Sequence, residues 1–252
     1  MNENFNLDYA KVYDYLYNQK DYQDESNKII KLIKQYSSKK IENTRILDYG
    51  CGTGNHLSCF KKYTSNLFGY DKSKSMIKLA KQKDTKKSIS FYSSKKSIIN
   101  NSKFDVVVML FDVFSYLKNN NDINSELNFI KSIMKKNGLF IFQFWYGPSV
   151  MHTNPKSYNK KINVDESIIT KKCISNLNLN LNLVDIKYEF LTQNKKKLFS
   201  ENHSIRYFFK DEINLLLEHN YFKQLSLMYL DCPSMKIRAT NQYSVTCIGK
   251  SI

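Results

Sequence analysis

Residues 46–57 read Ile46-Leu47-Asp48-Tyr49-Gly50-Cys51-Gly52-Thr53-Gly54-Asn55-His56-Leu57. An apolar, strand-like run ends on an acid, three alternate glycines follow, and a helical pattern begins. The whole chain holds seven glycines, so three within five residues mark a tight turn whose backbone approaches another group with no Cβ between them. The spacing is G-x-G-x-G, with Asp48 just upstream, and not the G-x-G-x-x-G of dinucleotide-binding turns. Seventeen residues past Gly54, a second apolar run closes on Gly69-Tyr70-Asp71. This puts an acid at the carboxyl end of a second strand, where a carboxylate can accept from both hydroxyls of a ribose. Alone, Asp71 would pass for the N-cap of a helix over 73–83. With Asp48 and the glycine turn it points to a nucleoside site.

Around this turn the hydrophobic pattern switches between the periods of helix and strand. Lys28–Tyr36 reads as a helix ahead of a first strand at Thr44–Tyr49. Apolar runs at Asn66–Tyr70, Ile89–Tyr92, Phe104–Phe111 and Leu139–Trp145 then alternate with helical patterns at Asn55–Tyr63, Ser73–Lys83 and Ile123–Lys135. Such alternation predicts an α/β fold, a parallel sheet with helices on both faces. Phe104–Phe111 is almost unbroken in apolar character, which suits a strand in mid-sheet. Past Pro148 the period becomes two, over Ile162–Ile174, Leu177–Leu191 and Leu198–Phe209. The alternating Leu177–Leu183 run reads as a strand with one half-buried face. A helix at Lys210–His219 and strands at Tyr221–Leu230 and Gln242–Gly249 close the pattern. Residues 149–205 thus form a β-rich insertion beside the carboxyl edge of the sheet, where open α/β sheets bind their ligands.

With 252 residues, 42% of them hydrophobic and 25% charged, the chain can bury one substantial core. Its net charge of +16 comes from 36 Lys and 3 Arg against 23 acids. Nucleic-acid readers depend on Arg for bidentate base contacts. Scattered pairs such as Lys39-Lys40, Lys86-Lys87 and Lys135-Lys136 instead suit a solvated face, or a field favouring an anionic small substrate. No apolar stretch nears the ~20 residues that cross a bilayer, and Met1–Asn4 carries no secretory pattern, so a cytoplasmic protein without membrane contact is expected. Five cysteines (Cys51, Cys59, Cys173, Cys232, Cys247) form no C-x-x-C pair. Reduced, buried thiols and no metal are expected.

On these residues the chain resembles the class I S-adenosylmethionine-dependent methyltransferases. Asp48-x-Gly50-x-Gly52-x-Gly54 is similar to their first motif, Asp71 to the ribose-binding acid, Phe104–Val108 to the fourth strand and Lys135–Ile141 to the turn into the fifth. The likeness covers residues 10–148. It implies a Rossmann-like, seven-stranded, mostly parallel sheet with helices on both faces and an inserted antiparallel β flap, as a single domain over residues 1–252. It also implies S-adenosylmethionine as cofactor. Asp48 would help hold the methionine amine, the backbone of Gly50, Cys51, Gly52 and Gly54 would lie against the cofactor, Asp71 would take the ribose and Met76 would pack on adenine, with Lys72 and Leu110 in the same site. Where many relatives carry an acid that reads the adenine amino group, this chain has Ser94, whose hydroxyl can accept the same bond.

Three more segments resemble the nucleotide-linked aminosugar N-methyltransferases: Tyr13–Tyr17 with Lys20-Asp21-Tyr22, Phe111–Leu117, and Gln143–Pro148. The insertion and His203–Phe209 are similar to that group as well. The resemblance implies a helical lid over residues 1–40 and an insertion at 149–205 that shapes the acceptor site. Methyl transfer is an in-line displacement at a sulfonium, so the protein has mainly to align the reactants and exclude water. An amine need only arrive unprotonated, whereas a hydroxyl gains from a general base. Tyr13, Tyr116 and His203 are the candidate catalytic residues, Tyr22 the partner of the donor carboxylate, and Phe111, Trp145 and Tyr146 the acceptor wall. Tyr116 stands where that group often has a histidine. A phenol of pKa ~10 is a poorer base at neutral pH than an imidazole near ~6.5, which favours orientation over proton removal. His56, His152 and His219 read as structural.

The expected function is methylation of a small polar, anionic acceptor bearing phosphate, foremost the amine of a nucleotide-linked sugar, without nucleic acid and with a homodimer allowed. The neighbouring alternative is an O-methyltransferase acting on a sugar hydroxyl or phosphate-type oxygen in cell-surface polysaccharide assembly. The alternative from another class is an RNA-binding protein or RNA methyltransferase, although Leu110-Phe111-Asp112-Val113 offers no Asn-Pro-Pro-Tyr-like motif. A non-catalytic cofactor-binding protein is the third.

Overall fold

Strands of unbroken apolar character belong where both faces are covered, and Ile46–Tyr49 and Phe104–Met109, buried almost throughout, form the middle of a five-stranded parallel sheet. The structure, a computed structural model, describes residues 5–101, 103–233 and 237–252; the first four residues of the expected lid lie outside these. Strands β1 (Ile46–Tyr49), β2 (Leu67–Tyr70), β3 (Ser90–Tyr92), β4 (Phe104–Met109) and β5 (Met134–Tyr146) pair in parallel in the order β3-β2-β1-β4-β5. Successive residues point to opposite faces. One face of the sheet, with Leu47, Val107, Phe140 and Phe142, packs on α6 (Asn120–Ile133) and α8 (Lys210–His219) through Leu127, Ile130 and Leu217. The other, with Ile46, Val106, Val108 and Ile141, packs on α2 (Tyr22–Tyr36), α3 (Asn55–Phe60) and α4 (Lys74–Lys83) through Ile29, Ile33, Phe60 and Ile77.

Strands β10 (Phe222–Met228) and β11 (Ser244–Ser251) complete the seven expected: β11 runs antiparallel between β5 and β10. Helix α1 (Leu7–Leu16) starts on an Asn6 N-cap, and α2 on Asp21, whose carboxylate accepts from the Asp24 amide at 2.8 Å. The short helices α5 (Lys95–Ile99) and α7 (Gly147–Thr153) follow β3 and β5. After α7 the chain forms the expected flap, an antiparallel meander of β6 (Tyr158–Val164), β7 (Ser167–Asn178), β8 (Leu183–Leu191) and β9 (Lys197–Phe208).

How the flap attaches decides where the site lies. β4 parts from β5 after the Met109–Phe142 pair, while β11 keeps the opposite edge of β5 as far as Trp145. β9 therefore takes the edge that β4 leaves, pairing in parallel at Trp145–Tyr207 and Tyr146–Phe208. The flap hangs over the carboxyl end of β4.

Two expectations are corrected. Leu177–Leu183 is not one strand: β7 ends at Asn178, β8 begins at Leu183, and Leu179 and Leu181 between them are 58% and 62% exposed. Asn178 accepts from the Leu181 amide at 3.2 Å, and Asn182 adopts φ +54°. Asparagine turn chemistry overrides the alternation there. Nor are all five thiols buried, since Cys59 is half-buried and Cys232 exposed. Among the described residues no helix is long and apolar enough to cross a membrane.

Candidate active site

A cleft of about 400 Å³ opens at the carboxyl ends of β1 and β4, between α1 and the flap. One half of it is built by the glycine turn. Gly50, Gly52 and Gly54 have φ of +91°, +53° and +78°, a region open to glycine and strained for other residues. Their neighbours differ. A Cβ on Gly50 would lie 2.6 Å from Val113 Cγ1, so that glycine lets the loop after β4 pack against the turn. A Cβ on Gly52 would project into the cleft, with the Tyr13 ring its nearest neighbour at 3.9 Å. Gly54 lies behind the turn against Phe91. The amides of Gly50 and Cys51 both donate to the Tyr70 carbonyl, at 2.7 and 2.9 Å, and fasten the turn to β2.

Asp71 lies directly beside it. Its Oδ2 accepts from the Gly52 amide at 2.9 Å and its Oδ1 from the Ser73 amide at 2.8 Å, leaving each oxygen a lone pair for a ligand. Burial raises its pKa against the pull of those two amides. Asp48 sits below the turn, 1% exposed, and its Oδ2 has no hydrogen-bond partner. Burial, with Asp71 and Glu25 nearby, pushes its carboxyl up to about 7 against the pull of His56. An open cradle over Gly52, a carboxylate beside it, the buried Met76 in the wall and an orphaned acid beneath together fit a nucleoside carrying a cationic group.

The other half is made by α1, the loop after β4, and the flap. The Tyr116 hydroxyl and His203 Nδ1 are 3.0 Å apart. His203 is 3% exposed, ringed by Phe5, Tyr9 and Tyr188 at centroid distances of 5.0 to 5.6 Å, and its Nε2 has no partner. Burial, and then Lys171, lower its pKa to about 4. The imidazole is therefore neutral at pH 7 and too weak a base to draw a proton from Tyr116, whose own pKa burial drives well up. The pair is built to hold a position.

Phe111 and Asp112 both take left-handed backbone, φ +57° and +60°, at the carboxyl end of β4. Strain of this kind persists only where the surroundings over-determine it. The Phe111 amide donates to Gln143 Oε1 at 2.6 Å, and Asp112 accepts from Trp145 Nε1 at 3.2 Å and the Ser244 hydroxyl at 2.7 Å. Gln143 continues to Glu25 at 2.9 Å, and Glu25 also pairs with His56 at 2.7 Å and Lys20 at 2.6 Å. His56 and Lys20 hold the Glu25 carboxyl down at about 2 despite its burial. The network ties α2 to α3 and to β5, and places Tyr22 over the cleft.

Of the residues singled out in the sequence, Tyr13, Tyr22, Gly50, Cys51, Gly52, Asp71, Lys72, Met76, Leu110, Phe111, Tyr116 and Trp145 line this cleft. Asp48 and Gly54 stand behind the turn and His203 behind Tyr116. Two lie elsewhere. Ser94 is exposed, at the N-cap of α5. Tyr146 belongs to the inward row Phe140-Phe142-Phe144-Tyr146, because strand alternation sends it into the core when Trp145 faces the cleft. Sequence reasoning missed Tyr17, Asp112, Lys171 and Tyr188, all of which line the cleft. For Lys171 a signal existed: in Ile169-x-Lys171-x-Cys173 a cation stands on the apolar face of a strand.

A family model described as a methyltransferase domain matches residues 20–225. The chain belongs to this methyltransferase family. A curated relative, dTDP-3-amino-3,4,6-trideoxy-alpha-D-glucopyranose N,N-dimethyltransferase of Streptomyces venezuelae, is 27% identical over 146 residues, 57% of this chain and 60% of its own length. The chain thus spans about three-fifths of that relative. The fold is that of the S-adenosylmethionine-dependent methyltransferase from Clostridium acetobutylicum (TM-score 0.73, 22% identity, 97% of this chain and 98% of that one). It is also that of CalS10, an amino pentose methyltransferase from Micromonospora echinaspora solved with S-adenosylmethionine (TM-score 0.72, 16% identity, 96% and 97%). The chain is thus similar to an aminosugar N-methyltransferase in sequence and to S-adenosylmethionine-dependent methyltransferases in fold, and its domain is a methyltransferase domain.

Proposed function

We propose that this protein methylates the amine of a small acceptor, foremost an amino group on a nucleotide-linked sugar. One observation carries the reading: the glycine cradle with Asp71 faces, across a single cleft, a neutral tyrosine–histidine pair under the flap. Bound S-adenosylmethionine supplies a methyl group on a positively charged sulfur. Asp71 and the turn backbone would hold its nucleoside, Tyr22 its carboxylate, and Tyr13 would close over it from α1.

The flap side then has to orient a nucleophile and keep water out. The Tyr116 hydroxyl, fixed by His203 Nδ1, can accept from an acceptor amine and leave the nitrogen lone pair free to attack. The rings of Phe111 and Trp145 wall the space and strengthen each polar contact inside it. An amine that enters unprotonated needs no more than this, whereas a hydroxyl would call on a base that His203 cannot be. The aminosugar dimethyltransferase among the relatives points the same way. The test is a mass-spectrometric screen pairing nucleotide-linked amino sugars with their hydroxy counterparts. Methyl uptake by the amino members alone is expected; uptake by the hydroxy members alone overturns the reading in favour of O-methylation.

A further inference from the structure

The inner face of the flap carries one buried cation among side chains that are otherwise mostly apolar. Cross-strand pairing puts Ile162 of β6, Ile169, Lys171 and Cys173 of β7, and Tyr188 and Phe190 of β8 on that face. Lys171 is 5% exposed and lines the cleft, its Nζ 3.6 Å from the centre of the Tyr188 ring and 6.0 Å from that of Tyr17. Among the described residues it has no carboxylate partner. Glu201, on the same face, accepts instead from the amides of Phe5 and Asn6 at 3.3 and 3.2 Å. Asp112 is held by Trp145 and Ser244, and Lys20 already neutralises Glu25.

A second lysine makes the arrangement more costly. Lys160 stands directly opposite Lys171 in the β6–β7 ladder, on the same face, and it too has no acidic partner among the described residues. Like charges directly opposed destabilise a strand pair, and a buried ammonium without a counter-charge costs far more than an exposed one. Attraction to the two ring faces offsets part of this. Burial and Lys160 accordingly pull the Lys171 pKa down to about 8. A buried cation at the wall of the cleft, with the exposed Lys160 opposite it in the ladder and no acid paired to either among the described residues, leaves room for an anion from outside.

We infer that Lys171, backed by Lys160, recognises an oxyanion, phosphate or carboxylate, on the molecule that is methylated. The inference rests on the reading that the acceptor enters beneath the flap. It makes Lys171 a specificity residue, set apart from the donor cradle across the cleft. A cation in the same cleft also disfavours the ammonium form of an amine acceptor, the form that cannot attack.

The test is calorimetric titration of the full chain, saturated with S-adenosylhomocysteine, using dTDP, inorganic phosphate and D-glucuronate, with thymidine and D-glucose as uncharged counterparts. At least one anionic probe should bind ten or more times tighter than its counterpart. Lys171→Met should erase that preference, Lys171→Arg should keep most of it, and Lys160→Met should reduce it several-fold. Preference for dTDP and phosphate assigns the anion to a phosphate, and preference for glucuronate to a carboxylate on the sugar. Affinity for S-adenosylhomocysteine reports whether each variant is folded. Equal binding of charged and uncharged probes by the wild type, or an undiminished preference in a folded Lys171→Met, overturns the inference. The amine reading fails separately, in the acceptor screen, when only hydroxy sugars take up methyl.

Discussion

The two halves of the cleft are built by different means. The donor half comes mostly from one short stretch, β1 to the start of α4, which supplies backbone amides and two carboxylates, with Tyr13 of α1 and Tyr22 of α2 over it. The acceptor half gathers Tyr17 from the end of the N-terminal helix, Phe111 to Tyr116 from the loop after β4, and Lys171, Tyr188 and His203 from the flap. Its closing contact joins the Phe5 amide to Glu201 across 196 residues of chain. A site cut into backbone tolerates almost no change. A site assembled from side chains on docked elements can exchange one ring or charge for another while the sheet beneath stays the same. Within one fold, donor chemistry is thereby held constant while the acceptor is free to vary.

The sharpest break in that comparison should come at the turn. Gly50→Ala puts a Cβ 2.6 Å from Val113 at φ +91°, adding backbone strain to overpacking, each of about 1–3 kcal/mol. A loss of about 3 kcal/mol in denaturant unfolding is expected. Gly52→Ala meets nothing nearer than 3.9 Å and should cost only the left-handed strain, about 1–2 kcal/mol, while blocking the donor. Equal costs for the two variants would show that conformation alone, and not the packing of Val113, selects Gly50.

Protons should separate the halves next. His203 is depressed to about 4 from an ordinary value near 6.5. Its contribution to stability is full above the ordinary value and is lost as pH falls from about 6.5 towards 4. Asp48, raised to about 7, works in the opposite sense: its contribution is present at low pH and lost as pH rises from about 4 to 7. The two cancel in the wild type over much of this window. Comparing denaturation midpoints of wild type, His203→Gln and Asp48→Asn from pH 4 to 7 should uncover them. The first variant loses the acid-side decline and the second the neutral-side decline. Parallel curves for all three would mean that neither group is held as buried as it stands.

Donor affinity gives the next effect. Asp71→Asn keeps the shape but removes the charge that Gly52, Ser73 and a ribose would share, so S-adenosylhomocysteine should bind about tenfold more weakly, or ~1.4 kcal/mol. Calorimetry reads this directly, and unchanged affinity would detach Asp71 from the donor. Across the cleft, Tyr116→Phe removes one hydroxyl and strands His203 Nδ1. Stability should fall by about 1 kcal/mol and turnover only moderately. A loss beyond ~10⁴-fold would give Tyr116 a proton-transfer role.

The same contrast decided what could be read from the sequence. The donor half was legible because a glycine turn between a strand and a helix is local: its residues are neighbours in the chain before they are neighbours in space. The parallel order of the sheet followed from alternation for a similar reason. In the acceptor half the elements were legible but their facing was not. The resemblance of Gln143–Pro148 puts both Trp145 and Tyr146 on the wall, and the packing shows that Trp145 faces the cleft while Tyr146 joins the core. Ser94 is carried over by position after the third strand, yet it lies exposed at the N-cap position of α5, away from the cleft lining. Lys171 could have been found from its place among alternating apolar residues. Its lack of a partner could not, since that depends on how Glu201 is used by the N-terminal segment.

The smallest effect tests the β7–β8 turn of the flap, whose leucines do not line the cleft. Residues 177–183 alternate Leu and Asn as a half-buried strand would, and a strand there would bury Leu179 and Leu181. Substituting a buried leucine with serine would then cost several kcal/mol through lost packing and an unpaired hydroxyl. With both side chains more than half exposed in the β7–β8 turn, Leu179→Ser and Leu181→Ser should each stay within about 0.5 kcal/mol of wild type. The turn is held by the Asn178 side chain and by the left-handed Asn182, so the sensitive residues should be the asparagines that the alternation treats as filler. Asn182→Val, a β-branched residue forced to positive φ, should cost about 1–2 kcal/mol, more than either leucine. Unfolding midpoints in which the leucines matter more than Asn182 would restore the strand and move the β7–β8 turn.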